Sequence, residues 1–155
     1  VAVDNNPKKL AMAREFGATH TININEVEDV SKAIKKLSAG GVDYAFECVG
    51  NGKVVEQAYK ALGRAGTVVV VGVADMKDKT SISTFALPAD ERTLKGSWLG
   101  SARPQYDFPK ILNLYKANRL KLDELITKTY SIDEAPQAFE DMLEGKNARG
   151  VIIFE

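Results

Sequence analysis

Val1-Ala2-Val3-Asp4-Asn5-Asn6-Pro7 opens the chain, and the reading of this run decides the fold. Three apolar residues end on an acid. An Asn beside a Pro then supplies a helix cap and a first helical residue whose missing N–H is no loss at that position. The run is a short strand turned directly into a helix. Leu10, Met12, Ala13 and Phe16 keep rough helical spacing, and Gly17 closes the helix.

The same unit recurs downstream. Thr19 to Ile24 reads as a strand, and Asp29 to Leu37 as a helix with Val30, Ala33, Ile34 and Leu37 on one face, stopped by Gly40-Gly41. Val42 to Val49 is a strand carrying Val42, Tyr44, Phe46 and Cys48 on one side. A helix to about Leu62 buries Val54, Val55, Ala58 and Leu62 and stops at Gly63. Thr67 to Val71 is a near-continuous apolar run, as expected of a central parallel strand. Ile82 to Phe85 reads as a short strand, Thr93 to Gly100 as another, and 107 to 117 as a helix. Leu125 to Tyr130 is a strand, Ser131 to Glu134 a capping box opening a helix to Leu143, and Arg149 to Phe154 a final strand.

Strand and helix alternate four times in the first hundred residues, so the fold class is α/β with a doubly wound parallel sheet. The first strand of such a sheet is normally followed by a glycine-rich turn. Here the first visible strand ends in Asp4 and behaves as a second strand. The expected fold is thus a partial Rossmann-type sheet lacking its first strand and glycine-rich loop. Residues 1–100 are expected to form the nucleotide-binding domain from its second strand onward, and 101–155 a C-terminal set of helices and strand. In such a sheet the first strand sits between the second and the fourth, so its removal leaves interior strand edges unpaired. The absence of an initiating Met fits a chain cut from something longer.

Composition narrows the function classes. The chain has 45% hydrophobic and 27% charged residues, ordinary for a soluble globular protein. Lys plus Arg and Asp plus Glu balance at 21 each, so no basic excess exists to neutralise nucleic-acid phosphates. No apolar run suits a membrane span, no signal peptide is visible, and a cytoplasmic setting is expected. The one Cys, Cys48, and the one His, His20, cannot assemble a zinc site, which takes about three or four protein ligands. The serines have no other His with which to build a hydrolase triad.

Asp4 is the most informative residue. An acid ending the second strand of a dinucleotide-binding sheet accepts hydrogen bonds from adenosine ribose hydroxyls and repels a 2′-phosphate, favouring NAD over NADP. It equally suits the start of a helix. Lys9 could reach a ribose hydroxyl or could be a surface lysine. Val49 and Gly50 end a strand at the carboxyl edge, where ligands collect. Val71-Gly72-Val73 and Ser97 to Leu99 end the next two, and a glycine at 72 would permit close approach of a flat ring. Gly50-Asn51-Gly52 lacks the third glycine of a phosphate loop, because Val55 stands there, and Gly63-Arg64-Ala65-Gly66 reads as a turn. Glu47 has no visible partner and is assigned a structural role. His20 is a strand-entry residue, and Trp98 belongs to the core or to a subunit interface.

Several runs, taken in order, resemble the zinc-dependent medium-chain alcohol dehydrogenases, with the flavour of the class III, formaldehyde dehydrogenase-like branch. They are Val1 to Asp4, Phe16 to Thr19, Gly40 to Gly50, Val70 to Val73, Lys95 to Ser97 and Ala148 to Ile152. The resemblance covers essentially the whole chain and implies the C-terminal portion of such an enzyme, without its catalytic zinc domain. It implies that Asp4 and Lys9 bind the adenosine ribose and that Val49 and Gly50 line the adenine-side cleft. It implies that Val71, Ser97 and Leu99 hold the nicotinamide carboxamide through backbone groups, and that Arg149 approaches the pyrophosphate. The implied cofactors are NAD and, in the parent enzyme, zinc, for which this chain has no ligands. The implied substrate is a small alcohol or aldehyde, the implied assembly a dimer or tetramer, and this portion alone is expected to be inactive, with no catalytic residue in it. A zinc-free NAD(P)-dependent reductase of the same superfamily, a nucleotide-binding regulatory module and a methyltransferase are the competing readings.

Overall fold

Asn6 accepts a hydrogen bond from the Lys8 amide through its side chain, and Pro7 follows it, so the strand–helix switch falls where the sequence puts it. In the computed structural model, which describes residues 1–154, β1 (Ala2–Asp4) leads into α1 (Pro7–Glu15) and returns as β2 (Thr21–Asn23). Gly17, at φ +97°, takes the left-handed turn that ends the helix. β1 and β2 pair in parallel, with Asp4 opposite Asn23. The chain continues through α2 (Val30–Leu37), β3 (Val42–Glu47), α3 (Gly52–Ala61), β4 (Leu62–Val70), α4 (Ala86–Ala89) and β5 (Thr93–Gly96). β3, β4 and β5 form a second parallel sheet in that order. These elements lie in one unit, Val1–Ala102; Arg103–Glu155 forms another.

Set against the Rossmann-type order 3-2-1-4-5-6, β2-β1 occupies the places 3-2 and β3-β4-β5 the places 4-5-6. No described strand of this unit fills the place between β1 and β3. The sheet is wound on both faces. Arg14 of α1 bonds the Thr21 hydroxyl at 2.7 Å, whereas the next residue, Ile22, packs with Val30 and Ile34 of α2 and Ala61 of α3. Neighbouring strand residues face opposite sides, so α1 covers one face and α2 and α3 the other. A second cluster joins Tyr59, Leu62 and Val68 with Ile82 and Leu87 from the segment before β5. Leu62 and Val68 are fully buried, each contributing about 1.5–3 kcal/mol by leaving water.

Several boundaries differ from the sequence expectation. Leu62 does not end α3; it opens β4, which runs unbroken from the helix because Gly63 and Gly66 pack against the backbone of Gly41 and Val42. Ile82 to Phe85 is not a strand, since Ile82 instead serves the core under α4. β2, β3, β5 and the final strand of the chain are shorter than their apolar runs. Tyr44 and Phe46 are 67% and 66% exposed, so the apolar side of β3 is open and the side bearing Glu47 is the buried one.

In the second unit, α5 (Pro104–Lys116) starts three residues earlier than the spacing suggests, because the Asp107 side chain accepts the Arg103 amide. β6 (Ile126–Tyr130) pairs in parallel with β7 (Arg149–Ile152), and α6 (Ala135–Leu143) crosses between them after the expected Ser131–Glu134 capping box. The buried carboxylate of Asp141 ties the unit together. It accepts from Lys128 Nζ at 2.6 Å, the Tyr130 hydroxyl at 2.8 Å and Gln137 Nε2 at 3.0 Å, with Lys146 Nζ at 3.4 Å. Lys128 and then Tyr130 hold its carboxyl well below the ordinary value of 3.8. An acid shifted down on folding stabilises the fold above its unfolded value and loses that contribution as pH falls toward the folded one. Asp141→Asn is expected to lower the thermal midpoint of this unit at neutral pH, with the deficit shrinking below about pH 4. Melts of both proteins followed between pH 7 and pH 2 check this, and a deficit independent of pH would contradict it.

Candidate functional site

Pairing in register brings Glu47 beside Val70 and Val70 beside Gly96, so β3, β4 and β5 end on one line. The residues just past them, Val49 and Gly50, Val71 and Gly72, and Ser97, therefore emerge together at the carboxyl edge, where open α/β sheets collect ligands. The Ser97 amide donates to the Val70 carbonyl at 2.9 Å, which keeps the third loop against the second.

Glu47 joins the first loop to the second. Its backbone carbonyl accepts from the amides of Val71 at 2.8 Å and Gly72 at 3.0 Å. Its side-chain Oε1 accepts from the amides of Val49 and Gly50, each at 2.8 Å. The residue is 1% exposed, and its Oε2 is buried without a partner. No side chain partners Glu47 Oε1, so no partner is visible in the sequence. The partners are backbone amides two and three residues on. An acid just before a glycine turn at a strand end was the available signal, of the kind that marks side-chain-stabilised turns.

Two glycines make this junction possible. Gly50 sits at φ +81°, and a Cβ on it would lie 2.4 Å from the Val73 carbonyl oxygen. A Cβ on Gly72 would lie 2.1 Å from the Gly50 nitrogen. The close approach that Gly72 allows is thus taken by the Gly50 backbone rather than left for a ring. The turn into α3 is also fully engaged. Asn51 Oδ1 accepts from the amides of Lys53 and Val54, and Asp78 Oδ2 accepts from Gly52 at 2.7 Å.

Asp4 ends β1 half-buried. One oxygen, Oδ1, accepts the Asn6 amide at 2.8 Å, so the helix-start role is present, and Oδ2 makes no hydrogen bond among the described residues. Lys9 stands exposed in the first turn of α1. Val49 and Leu99 are 73% and 84% exposed, Leu99 with φ +48°. Ser97 is half-buried, its hydroxyl 3.4 Å from that of Ser101. Arg149 opens β7 in the other unit. His20 precedes β2, with Nδ1 3.0 Å from the Thr19 hydroxyl. Trp98 is 72% exposed and is not core. Among the described residues no group of three or more His, Cys, Asp or Glu is placed to hold a metal ion, and no helix is long and apolar enough to cross a membrane.

Comparison with known proteins adds a second line of observation. A family model described as zinc-binding dehydrogenase matches residues 1–117. An NDMA-dependent alcohol dehydrogenase of Amycolatopsis methanolica is 39% identical over 99% of this chain and 42% of its own length. An S-(hydroxymethyl)glutathione dehydrogenase of Paracoccus denitrificans is 35% identical over 99% of this chain and 43% of its own. The crystal structure of a benzyl alcohol dehydrogenase from Acinetobacter calcoaceticus superposes with a TM-score of 0.93 at 31% identity, covering 99% of this chain and 42% of that one. The chain thus spans about 42% of the length of relatives it matches along nearly all of its own.

Glu47 gives this site its sharpest stability test. Glu47→Ala removes the acceptor of two amides and is expected to cost about 1–3 kcal/mol. Glu47→Gln keeps a carbonyl for both amides and is expected to cost less. Chemical denaturation of the three proteins measures the difference, and equal losses in the two variants would contradict the assigned bonds.

Proposed function

The chain belongs to the zinc-binding dehydrogenase family, and on that premise we propose that it is the NAD-binding portion of a zinc-type oxidoreductase acting on a small alcohol or aldehyde. The observation that carries the cofactor reading is Asp4. Its carboxylate closes β1 at the carboxyl end of a parallel pair, and its Oδ2 has no donor among the described residues. That is the chemistry a pair of vicinal ribose hydroxyls satisfies and a 2′-phosphate opposes. Lys9, one helical turn on, adds a donor to the same hydroxyls. Val49 and Gly50 flank the adenine side, and the backbone groups of Val71, Ser97 and Leu99 orient the nicotinamide carboxamide. Their support is the single carboxyl edge on which residues 49, 50, 71 and 97 emerge. Arg149 is assigned to the pyrophosphate.

NAD, when bound, supplies a hydride acceptor at its nicotinamide ring. The residues of this chain bind and orient it, and none is assigned to proton transfer. The ligands of a catalytic zinc are assigned to sequence outside these 155 residues. This portion alone is accordingly inactive in the proposal. The β5 edge, with Leu94 38% and Trp98 72% exposed, is assigned to subunit pairing, and the setting to the cytoplasm.

Calorimetric titration of the protein with NAD and NADP tests the reading. NAD is expected to bind more tightly by about tenfold or more, equivalent to about 1.4 kcal/mol. Asp4→Asn is expected to narrow that preference by weakening NAD and relieving the repulsion of NADP. Equal affinities in the unsubstituted protein, or a variant with unchanged preference, would overturn it.

A further inference from the structure

Among the described residues, six other than glycine hold a positive φ: Ala39, Ala65, Glu91, Leu99, Ser101 and Asn118. The conformation is costly for an L-residue, because its Cβ crowds the following carbonyl oxygen. For four of the six the fold supplies the reason. Ala39, Glu91 and Asn118 each follow the end of a helix, and the next amide turns back to a helix carbonyl: Gly40 to Lys35 at 2.9 Å, Arg92 to Leu87 at 3.0 Å and Arg119 to Leu114 at 2.9 Å. Ala65 lies in β4 and donates its amide to the Asp90 carbonyl at 2.7 Å.

Leu99 and Ser101 have no such reason. They flank Gly100, so three consecutive residues stand at φ +48°, +69° and +53°. On either side the backbone is ordinary and extended, Trp98 at φ −98° and Ala102 at φ −74°. Among the described residues only local bonds close the turn. The Ser101 amide donates to the Trp98 carbonyl at 2.8 Å, the Ala102 amide to the Leu99 carbonyl at 3.4 Å, and the Ser97 and Ser101 hydroxyls meet at 3.4 Å. Leu99 is 84% exposed, so packing does not hold it either. Strained backbone that neither long-range bonds nor packing explain is the kind that gathers at functional positions. Its place in the sheet says which position. The run begins two residues after Ser97, whose amide is fixed to the Val70 carbonyl at 2.9 Å on the carboxyl edge. An extended continuation of β5 would carry the chain off that edge by about 3.3 Å per residue. The left-handed turn reverses it instead and keeps the Leu99 main chain at the end of β5.

We propose that the left-handed turn Leu99–Gly100–Ser101 is a positioning element for the nicotinamide end of the cofactor, and that Ser101 is the positioning residue whose backbone conformation sets where the Leu99 main chain lies. The inference rests on the dinucleotide reading and deepens it, because it assigns the nicotinamide contact to a backbone geometry rather than to a side chain. Ser101 acts through Leu99 and touches no cofactor atom itself. The chemistry of residue 101 therefore matters less than its tolerance of positive φ.

Two ligands and two variants test this. NAD and ADP-ribose, which lacks the nicotinamide, are titrated by calorimetry into the unsubstituted protein, Ser101→Val and Ser101→Gly. Valine is β-branched and avoids positive φ, whereas glycine adopts it freely. Ser101→Val is expected to lower the ratio of NAD affinity to ADP-ribose affinity about tenfold, with ADP-ribose binding itself retained as the internal control for folding. Ser101→Gly is expected to restore the ratio, although it removes the hydroxyl. Trp98, the one tryptophan of the chain, adjoins the turn and reports on it without ligand. Its emission is expected to shift in Ser101→Val and to stay in place in Ser101→Gly. An unchanged ratio or unchanged emission in Ser101→Val, an equal loss of both ligands there, or a matching fall of the ratio in Ser101→Gly would overturn the proposal and leave the dinucleotide reading standing. Binding of neither ligand by the unsubstituted protein would overturn both.

Discussion

Parallel pairing is the constraint from which the rest of the first unit follows. Parallel neighbours cannot be joined by a tight turn, so each connection must cross the sheet, here as a helix or a long segment, and every strand must end at the same edge. Once β3, β4 and β5 are in register, the loops beginning at residues 48, 71 and 97 have nowhere else to emerge. Glu47 then fixes the first two of these loops by accepting four hydrogen bonds from their backbone amides, and Gly50 and Gly72 let the backbones meet. A sheet edge that is normally a set of independent loops becomes a connected backbone surface. That surface is what the proposed cofactor contacts require: fixed backbone carbonyl groups rather than long flexible side chains.

The two sheets of this unit are also two flanks. β1 and β2 on one side, and β3, β4 and β5 on the other, share a core through Ile22, Val42 and Ala61 but exchange no ladder hydrogen bonds. Val3 on one flank and Tyr44 and Phe46 on the other are exposed. The chain matches relatives along nearly all of its own length and about 42% of theirs. The second unit solves its own problem differently. Its single parallel pair gains little from sheet formation alone, and Asp141 binds β6 to α6 through donors on both.

Much of this was legible in the residues. Asn6-Pro7, Asp29, Asn51 and the Ser131–Glu134 box start helices as their chemistry requires, because capping is a local transaction between a side chain and the next few amides. The order of strands followed from alternation. What was not legible depended on distant partners. Leu62 reads as the end of a helix until Gly41 and Val42 are known to lie against the turn that follows it. Ile82 has the pattern of a strand, yet its place is set by Tyr59 and Leu62 on other elements. Glu47 looked idle because its ligands are main-chain groups, which carry no letter in a sequence.

The claim on which the functional account rests is that the β1 carboxylate receives adenosine hydroxyls. A crystal structure of the protein grown with NAD measures this directly. The account requires both ribose hydroxyls of the adenosine within hydrogen-bond distance of Asp4, with the adenine on the side of Val49 and Gly50. Adenosine bound elsewhere, or an Asp4 carboxylate facing solvent with NAD in place, would contradict it.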